Sequence, residues 1–169
     1  MNRLPSIGIV TPSYNQGKYI GRTINSVISQ DYTPQEYRII DGGSSDNTVD
    51  IQRSLNGNIW WVSERDDGQA DAVNKGWKNM NTDIIGWINS DDIYMPGALR
   101  KVAEAFKNNP HISVVYGLAH HIDENNEYIN NYPTQDWEKD RLRSTCYICQ
   151  PTVFLRREVF IKAGIIDKK

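Results

Sequence analysis

The sequence predicts an α/β fold, a mostly parallel sheet with helices on both faces, and three observations carry that expectation. Short apolar runs and amphipathic stretches alternate four times within the first 110 residues, the pattern of strand-helix units joined by right-handed crossovers. The runs are apolar throughout, as they are when helices cover both faces of a sheet. Each run ends in a polar loop rich in Gly, Asp, Asn or Ser, and in a parallel sheet such ends share one edge, where ligands sit.

Taken in order, Ser6 to Thr11 is the first strand, closed by Pro12-Ser13-Tyr14-Asn15-Gln16-Gly17. Lys18 to Gln30 carries Tyr19, Ile20, Ile24, Val27 and Ile28 at helical spacing. Pro34 breaks the chain before a second strand, Tyr37 to Ile40, which ends in Asp41-Gly42-Gly43-Ser44-Ser45-Asp46. Asn47 to Leu55 is a short helix stopped by Asn56-Gly57. The third strand, Ile59 to Ser63, runs into Glu64-Arg65-Asp66-Asp67-Gly68, and the helix from Gln69 to Met80 turns Ala72, Val73, Gly76 and Trp77 inward. Ile84 to Ile88 is the fourth strand. The next helix has Pro96 in its first turn and runs to about Lys107, with Leu99, Val102, Ala103 and Phe106 on its buried face. Beyond Pro110 the regularity fades. Ile112 to Leu118 reads as a strand, Ile122 to Tyr128 as a hairpin around Asn125-Asn126, and Tyr132 to Arg143 as a mobile surface segment. Gln150 to Arg156 reads as a last strand and Glu158 to Gly164 as a last helix.

Composition bounds the function. With 169 residues, 38% hydrophobic content and a net charge of -2, the chain can bury a core and has no electrostatic affinity for nucleic acid or anionic lipid. No apolar run reaches the ~18 residues of a membrane span, and Met1 to Pro5 lacks the apolar stretch of a leader. The expectation is a cytoplasmic protein, peripheral at the membrane at most. Cys146 and Cys149 form a C-x-x-C flanked by strand-like Thr145, Tyr147 and Ile148. His111, His120 and His121 stand too far upstream for a compact zinc site, so reduced, half-buried structural thiols are expected.

The chemistry concentrates in the loops. Asn89-Ser90-Asp91-Asp92 places two adjacent carboxylates at the end of an apolar strand, where they repel and lose solvation. A divalent cation compensates such a pair, since Mg²⁺ and Mn²⁺ favour oxygen ligands and leave positions for phosphate. The plainer alternative is that both aspartates cap the following helix. Asp41, beside Gly42-Gly43, can accept a hydrogen bond from a base or ribose, or it can satisfy turn amides as Asp46 does. Asp66, Asp67 and Asp71 suit a hydroxyl-rich ligand, with Lys75 supplying positive charge unless it and Lys78 are solvated helix residues. No Walker loop, no G-x-G-x-x-G after the first strand and no G-x-S-x-G occurs, which disfavours nucleoside triphosphatases, dinucleotide enzymes and serine hydrolases.

Together Val10-Thr11-Pro12-Ser13-Tyr14-Asn15, Ser26 to Gln30, Ile40 to Thr48, Ser63 to Gly68, Asp71 to Gly76 and Asn89 to Asp92 resemble the family 2 glycosyltransferases of GT-A fold. The resemblance implies metal-dependent transfer of a sugar from a nucleotide-sugar, usually a UDP-sugar, to a saccharide or lipid-linked acceptor with inversion, in cell-surface polysaccharide or glycan synthesis. By the same likeness Thr11, Pro12 and Tyr14 line the nucleoside pocket and Asp41 binds the base. Asp66, Asp71 and Lys75 shape the donor site, Asp91 lies against ribose or sugar, and Asp92 holds Mn²⁺ or Mg²⁺. Residues 1–169 then form one domain, with 1–110 the nucleotide-sugar half and 111–169 part of the acceptor side. The resemblance also implies a general base beyond Lys169, a chain truncated relative to the family, and uncovered apolar surface near Phe154, Phe160 and Ile165. A nucleotide-sugar-binding module without that base is the alternative. A nucleotidyltransferase on a similar sheet is disfavoured, because the Gly/Arg/Lys-rich first loop of such enzymes is absent.

Overall fold

A computed structural model of the chain describes residues 3–55 and 59–167. The Asn56-Gly57 helix stop lies outside the described residues. Strand β1 (Ile7–Ser13), helix α1 (Ile20–Ile28), β2 (Glu36–Asp41), α2 (Thr48–Arg53), β3 (Trp60–Ser63), α3 (Gln69–Lys78), β4 (Ile84–Trp87) and α4 (Ala98–Asn108) follow in sequence. They are four strand-helix units, as the alternation of apolar runs predicts. β1 pairs in parallel with both β2 and β4, and β2 with β3.

Alternation along β1 divides the core into two layers. Ile7 and Ile9 face one side, packed with Ile20, Ile24 and Val27 of α1 and with Leu99, Val102, Ala103 and Phe106 of α4. Val10 faces the other side, against Ala72, Val73 and Trp77 of α3. Gly76 lets α3 approach closely, since a Cβ there would stand 2.5 Å from Cγ2 of Val10.

After α4 come β5 (Val114–Val115), the β6–β7 hairpin (His120–Ile122 and Tyr128–Asn131), α5 (Lys139–Leu142), a 3₁₀ turn (Gln150–Thr152), β8 (Phe154–Arg156) and α6 (Arg157–Ala163). β8 inserts antiparallel between β4 and β5, giving the order β3-β2-β1-β4-β8-β5. The strand expected over 112–118 shortens to two residues, because among the described residues its only partner in the sheet is the three-residue β8. The strand expected from Gln150 starts only at Phe154, since the amides of Thr152 and Val153 and the Thr152 hydroxyl bond back onto Cys149 and Gln150 carbonyls. Pro96 lies ahead of α4 rather than in its first turn. Gly97, at φ +76°, makes the left-handed step that starts the helix at Ala98.

The hairpin turns at Asn126, whose φ is +68°. The Asp123 carboxylate accepts from the amides of Asn125 and Glu127 at 2.8 and 2.9 Å. Arg22 and Lys18 of the α1 region bind Glu124 and Asn126 at that turn. The segment after β7 carries α5, and the stretch around Tyr147 is not strand. That ring is fully buried, and its hydroxyl accepts from the Glu138 amide while donating to the Glu138 carbonyl. Cys146 is exposed, not half-buried, and Cys149 is partly covered, both as free thiols. Phe154 is buried inside the sheet core, and Phe160 packs edge-on to Trp77, so of the expected apolar surface Ile165 is the residue left exposed.

Candidate active site

The carboxyl ends of β1, β2, β3 and β4 open together into one cleft of about 580 Å³. Pro12, Ser13, Tyr14 and Gln16 line it from β1 and its loop, Gly42 from the loop after β2, and Arg65, Asp66 and Gly68 from the loop after β3. Gln69 and Ala72 come from the first turn of α3, and Asn89, Ser90 and Asp91 follow β4. Tyr14 stands 63% exposed at this cleft, a free aromatic face of the kind that stacks on a nucleobase or a sugar ring.

The first two loops are stitched to each other. The Asn15 amide donates to the Ser44 hydroxyl at 2.7 Å, and the Asn15 side-chain oxygen accepts from the Ser45 amide at 2.9 Å. Asp41 lies beneath them with no solvent exposure. Its Oδ2 accepts from the Gly43 and Ser44 amides at 3.2 and 2.8 Å and from the Ser63 hydroxyl at 2.6 Å, and its Oδ1 accepts from the Ser44 hydroxyl. Gly43 completes the turn at φ +82°, a conformation that disfavours any side chain. Asp46 accepts from the Gly17 and Thr48 amides and the Thr48 hydroxyl, and these bonds, the Thr48 hydroxyl first, hold its carboxyl below the usual range.

In the third loop Asp66 Oδ1 accepts from the Gly68 amide at 2.9 Å, and its carboxylate rests on Gly42, where a Cβ would stand 3.0 Å from Oδ2. Asp71 accepts from the Asp67 amide and pairs with Lys75. In the fourth loop the Asp92 amide donates to the Asn89 carbonyl, and the Asn89 amide group donates to Asp92 Oδ2, both at 3.1 Å. Burial first, then the charge of Asp91, pushes the Asp92 carboxyl above the ordinary 3.8, against the pull of the Asn89 bond. The capping alternative fails for this pair, because α4 begins at Ala98 and Gly97 is its first flanking residue.

Of the residues singled out by sequence, Pro12, Tyr14, Asp66 and Asp91 line the cleft, and Asp92 adjoins it. Thr11 lies in the core with its hydroxyl bonded to that of Tyr37 at 3.0 Å. Asp41 supports the floor, and Lys75 is engaged by Glu64 and Asp71 at 3.1 and 3.5 Å on the α3 side. Gln16, Gln69 and Arg65 line the cleft without having been singled out. Arg65 carried a signal, as the single cation in the acidic stretch from Glu64 to Asp67.

Among the described residues neither Asp91 nor Asp92 has an ion-pair partner, and none of their neighbours completes a cluster of three His, Cys, Asp or Glu side chains. An uncompensated carboxylate pair at the lip of a polar cleft fits a divalent cation whose other positions go to water and phosphate oxygens.

The glycosyl transferase family 2 model matches residues 8–164. The chain belongs to that family. A glycosyltransferase of Nostoc is 31% identical over 136 residues, covering 76% of this chain and 41% of its own length. The chondroitin synthase of Escherichia coli is 30% identical over 148 residues, covering 85% of this chain and 22% of its own. The chain thus spans less than half the length of these two relatives. Among solved structures, Staphylococcus aureus TarS 1-349 in complex with UDP superposes with a TM-score of 0.70 at 21% identity, over 96% of this chain and 50% of that one. The mannosyltransferase PcManGT of Pyrobaculum calidifontis, in complex with GDP-Man and Mn²⁺, gives 0.71 at 17%, over 99% and 49%. The family 2 domain therefore has the GT-A fold, and among its described residues no helix is long and apolar enough to cross a membrane.

Proposed function

We propose that this family 2 domain binds a nucleotide-sugar, a UDP-sugar by the resemblance of its loops, and passes the sugar to a hydroxyl of a saccharide or lipid-linked acceptor with inversion, in glycan or polysaccharide synthesis. The observation that carries the reading is the Asp91-Asp92 pair, without a cationic partner among the described residues, at the end of the central strand β4 and beside a cleft that four strand ends build.

In such a transfer the acceptor oxygen bonds to the anomeric carbon, the bond from that carbon to the diphosphate breaks, and the acceptor proton passes to a base. Tyr14 offers a stacking face for the nucleobase, while Gln16, Gln69 and Asn89 offer donors and acceptors to hydroxyl groups. Asp92, with Asp91 beside it, would hold Mn²⁺ or Mg²⁺, which stabilises the negative charge gained by the departing diphosphate. Asn89 fixes the Asp92 carboxylate, and Gln69 fixes Asn89, so the first turn of α3 and the β4 loop hold one another in place.

The support is structural and familial. Two neighbours of the same fold are recorded with UDP and with GDP-Man and Mn²⁺. The test is nucleotide release from UDP-sugars in Mn²⁺, with and without saccharide acceptors. UDP release that rises on adding acceptor is expected, and it is slow if the acceptor must lose its proton without the general base that the resemblance puts beyond Lys169. UDP binding with no release under any acceptor would refute transfer by this chain while leaving donor binding intact.

A further inference from the structure

One cationic side chain lines the cleft among the described residues, and it is Arg65 rather than Lys75. Lys75 has its charge met by Glu64 and Asp71. The exposed guanidinium of Arg65 makes no hydrogen bond or ion pair among the described residues, and only its backbone carbonyl is engaged, by Lys75. Its neighbour Asp66 has Oδ1 occupied by the Gly68 amide, while Oδ2 lies over Gly42 and accepts nothing among the described residues. The cleft is therefore lined by a free donor fork and a free carboxylate oxygen on consecutive residues. Asp41, the other carboxylate near Gly42, has both oxygens filled by its own loop and by Ser63.

A base with a carbonyl next to a ring N–H matches that pair. Uracil and guanine each carry such a lactam edge. Cytosine and adenine present an amino group beside an unprotonated ring nitrogen, which sets donor against guanidinium and acceptor against carboxylate. We propose that Arg65 and Asp66 read the donor base, Asp66 Oδ2 accepting the ring N–H and Arg65 donating to the adjacent carbonyl, so that the cleft selects a lactam nucleotide. The proposal rests on the nucleotide-sugar reading above and adds to it the residues that set base preference. A buried edge left with mismatched donors and acceptors loses far more affinity than a missing apolar contact.

The experiment is calorimetric titration of UDP, GDP, CDP and ADP, in Mn²⁺, into the wild-type chain, Arg65→Ala and Asp66→Asn. The wild type should bind UDP or GDP about tenfold or more tighter than CDP and ADP, and the UDP and GDP arms identify which lactam base fits the space. Arg65→Ala should weaken the preferred nucleotide by about tenfold and change CDP and ADP by less than about twofold. Asp66→Asn should also narrow the preference. Arg65 is exposed, so its variant should melt with the wild type. Equal weakening of all four nucleotides by Arg65→Ala, or a wild type with no lactam preference, would overturn the assignment and leave the donor reading standing. Binding of none of the four would overturn both.

Discussion

Asp92 and Asp41 are both aspartates at strand ends, yet their surroundings give them opposite roles. Asp92 is partly buried beside another carboxylate, and that burial and that charge raise its pKa above 3.8. The folded chain then holds the Asp92 proton more tightly than the unfolded chain does. The stability this contributes is present at low pH and lost as pH rises from about 3.8 through the raised value. Asp92→Asn removes the repulsion, so in metal-free buffer it should melt above the wild type at pH 7, with the gap closing near pH 4. A lower melting temperature at pH 7 would mean that Asp92 is held by partners the structure does not show. Asp41 is the reverse case, because its carboxylate organises two loops and the end of β3. Asp41→Ala would strip acceptors from two amides and two hydroxyls and should cost about 3 kcal/mol or more in urea unfolding. Sequence alone does not separate Asp41 from Asp66, since each follows a strand and stands near glycine. The difference lies in Ser63, which reaches Asp41 only once β3 lies beside β2.

The strand-helix units were legible because each satisfies its own pattern locally, an apolar run followed by a 3.6-residue stripe. β5 and β8 were legible as strands over 112–118 and 150–156 but not in their true extent, for they are two and three residues long and exist through pairing with chain about forty residues away. α3 shows how an element positions the site. It carries Gln69 and Ala72 into the cleft and lies against β1 at Gly76. Helix propensity would reward Ala there by about 1 kcal/mol. The new methyl, however, would meet both γ-carbons and the Cβ of Val10 at 2.5 to 3.2 Å, and overpacking of that kind costs about 1–3 kcal/mol. Packing wins, so Gly76→Ala should lower stability by about 1 kcal/mol and also weaken UDP binding by displacing the first turn of α3. Unchanged urea unfolding together with unchanged UDP affinity would show that α3 can shift without disturbing the cleft.

Across the whole molecule, the half built from four regular units makes the cleft, and the later segments brace it. Phe154 is the brace at the centre, 2% exposed, against the ring of Tyr94 and over Gly86 of β4. Phe154→Ala should cost about 3–5 kcal/mol, read by thermal or urea unfolding, and a loss under about 1 kcal/mol would show β8 to be an ornament of the sheet. The hairpin was legible from Asn125-Asn126, but its attachment to the α1 region through Arg22 and Lys18 was not, because those partners are about a hundred residues apart. Which carboxylates face one cleft is likewise a property of the assembled sheet, although the convergence of four strand ends followed from parallel topology alone. The proposed function makes this edge a nucleoside-diphosphate site completed by a divalent cation at Asp91-Asp92. Its most direct test is titration of UDP into the wild-type chain in Mn²⁺ and again in EDTA. Binding about tenfold or more tighter with the cation is expected, and equal affinity in the two buffers would rule out a cation completing the site.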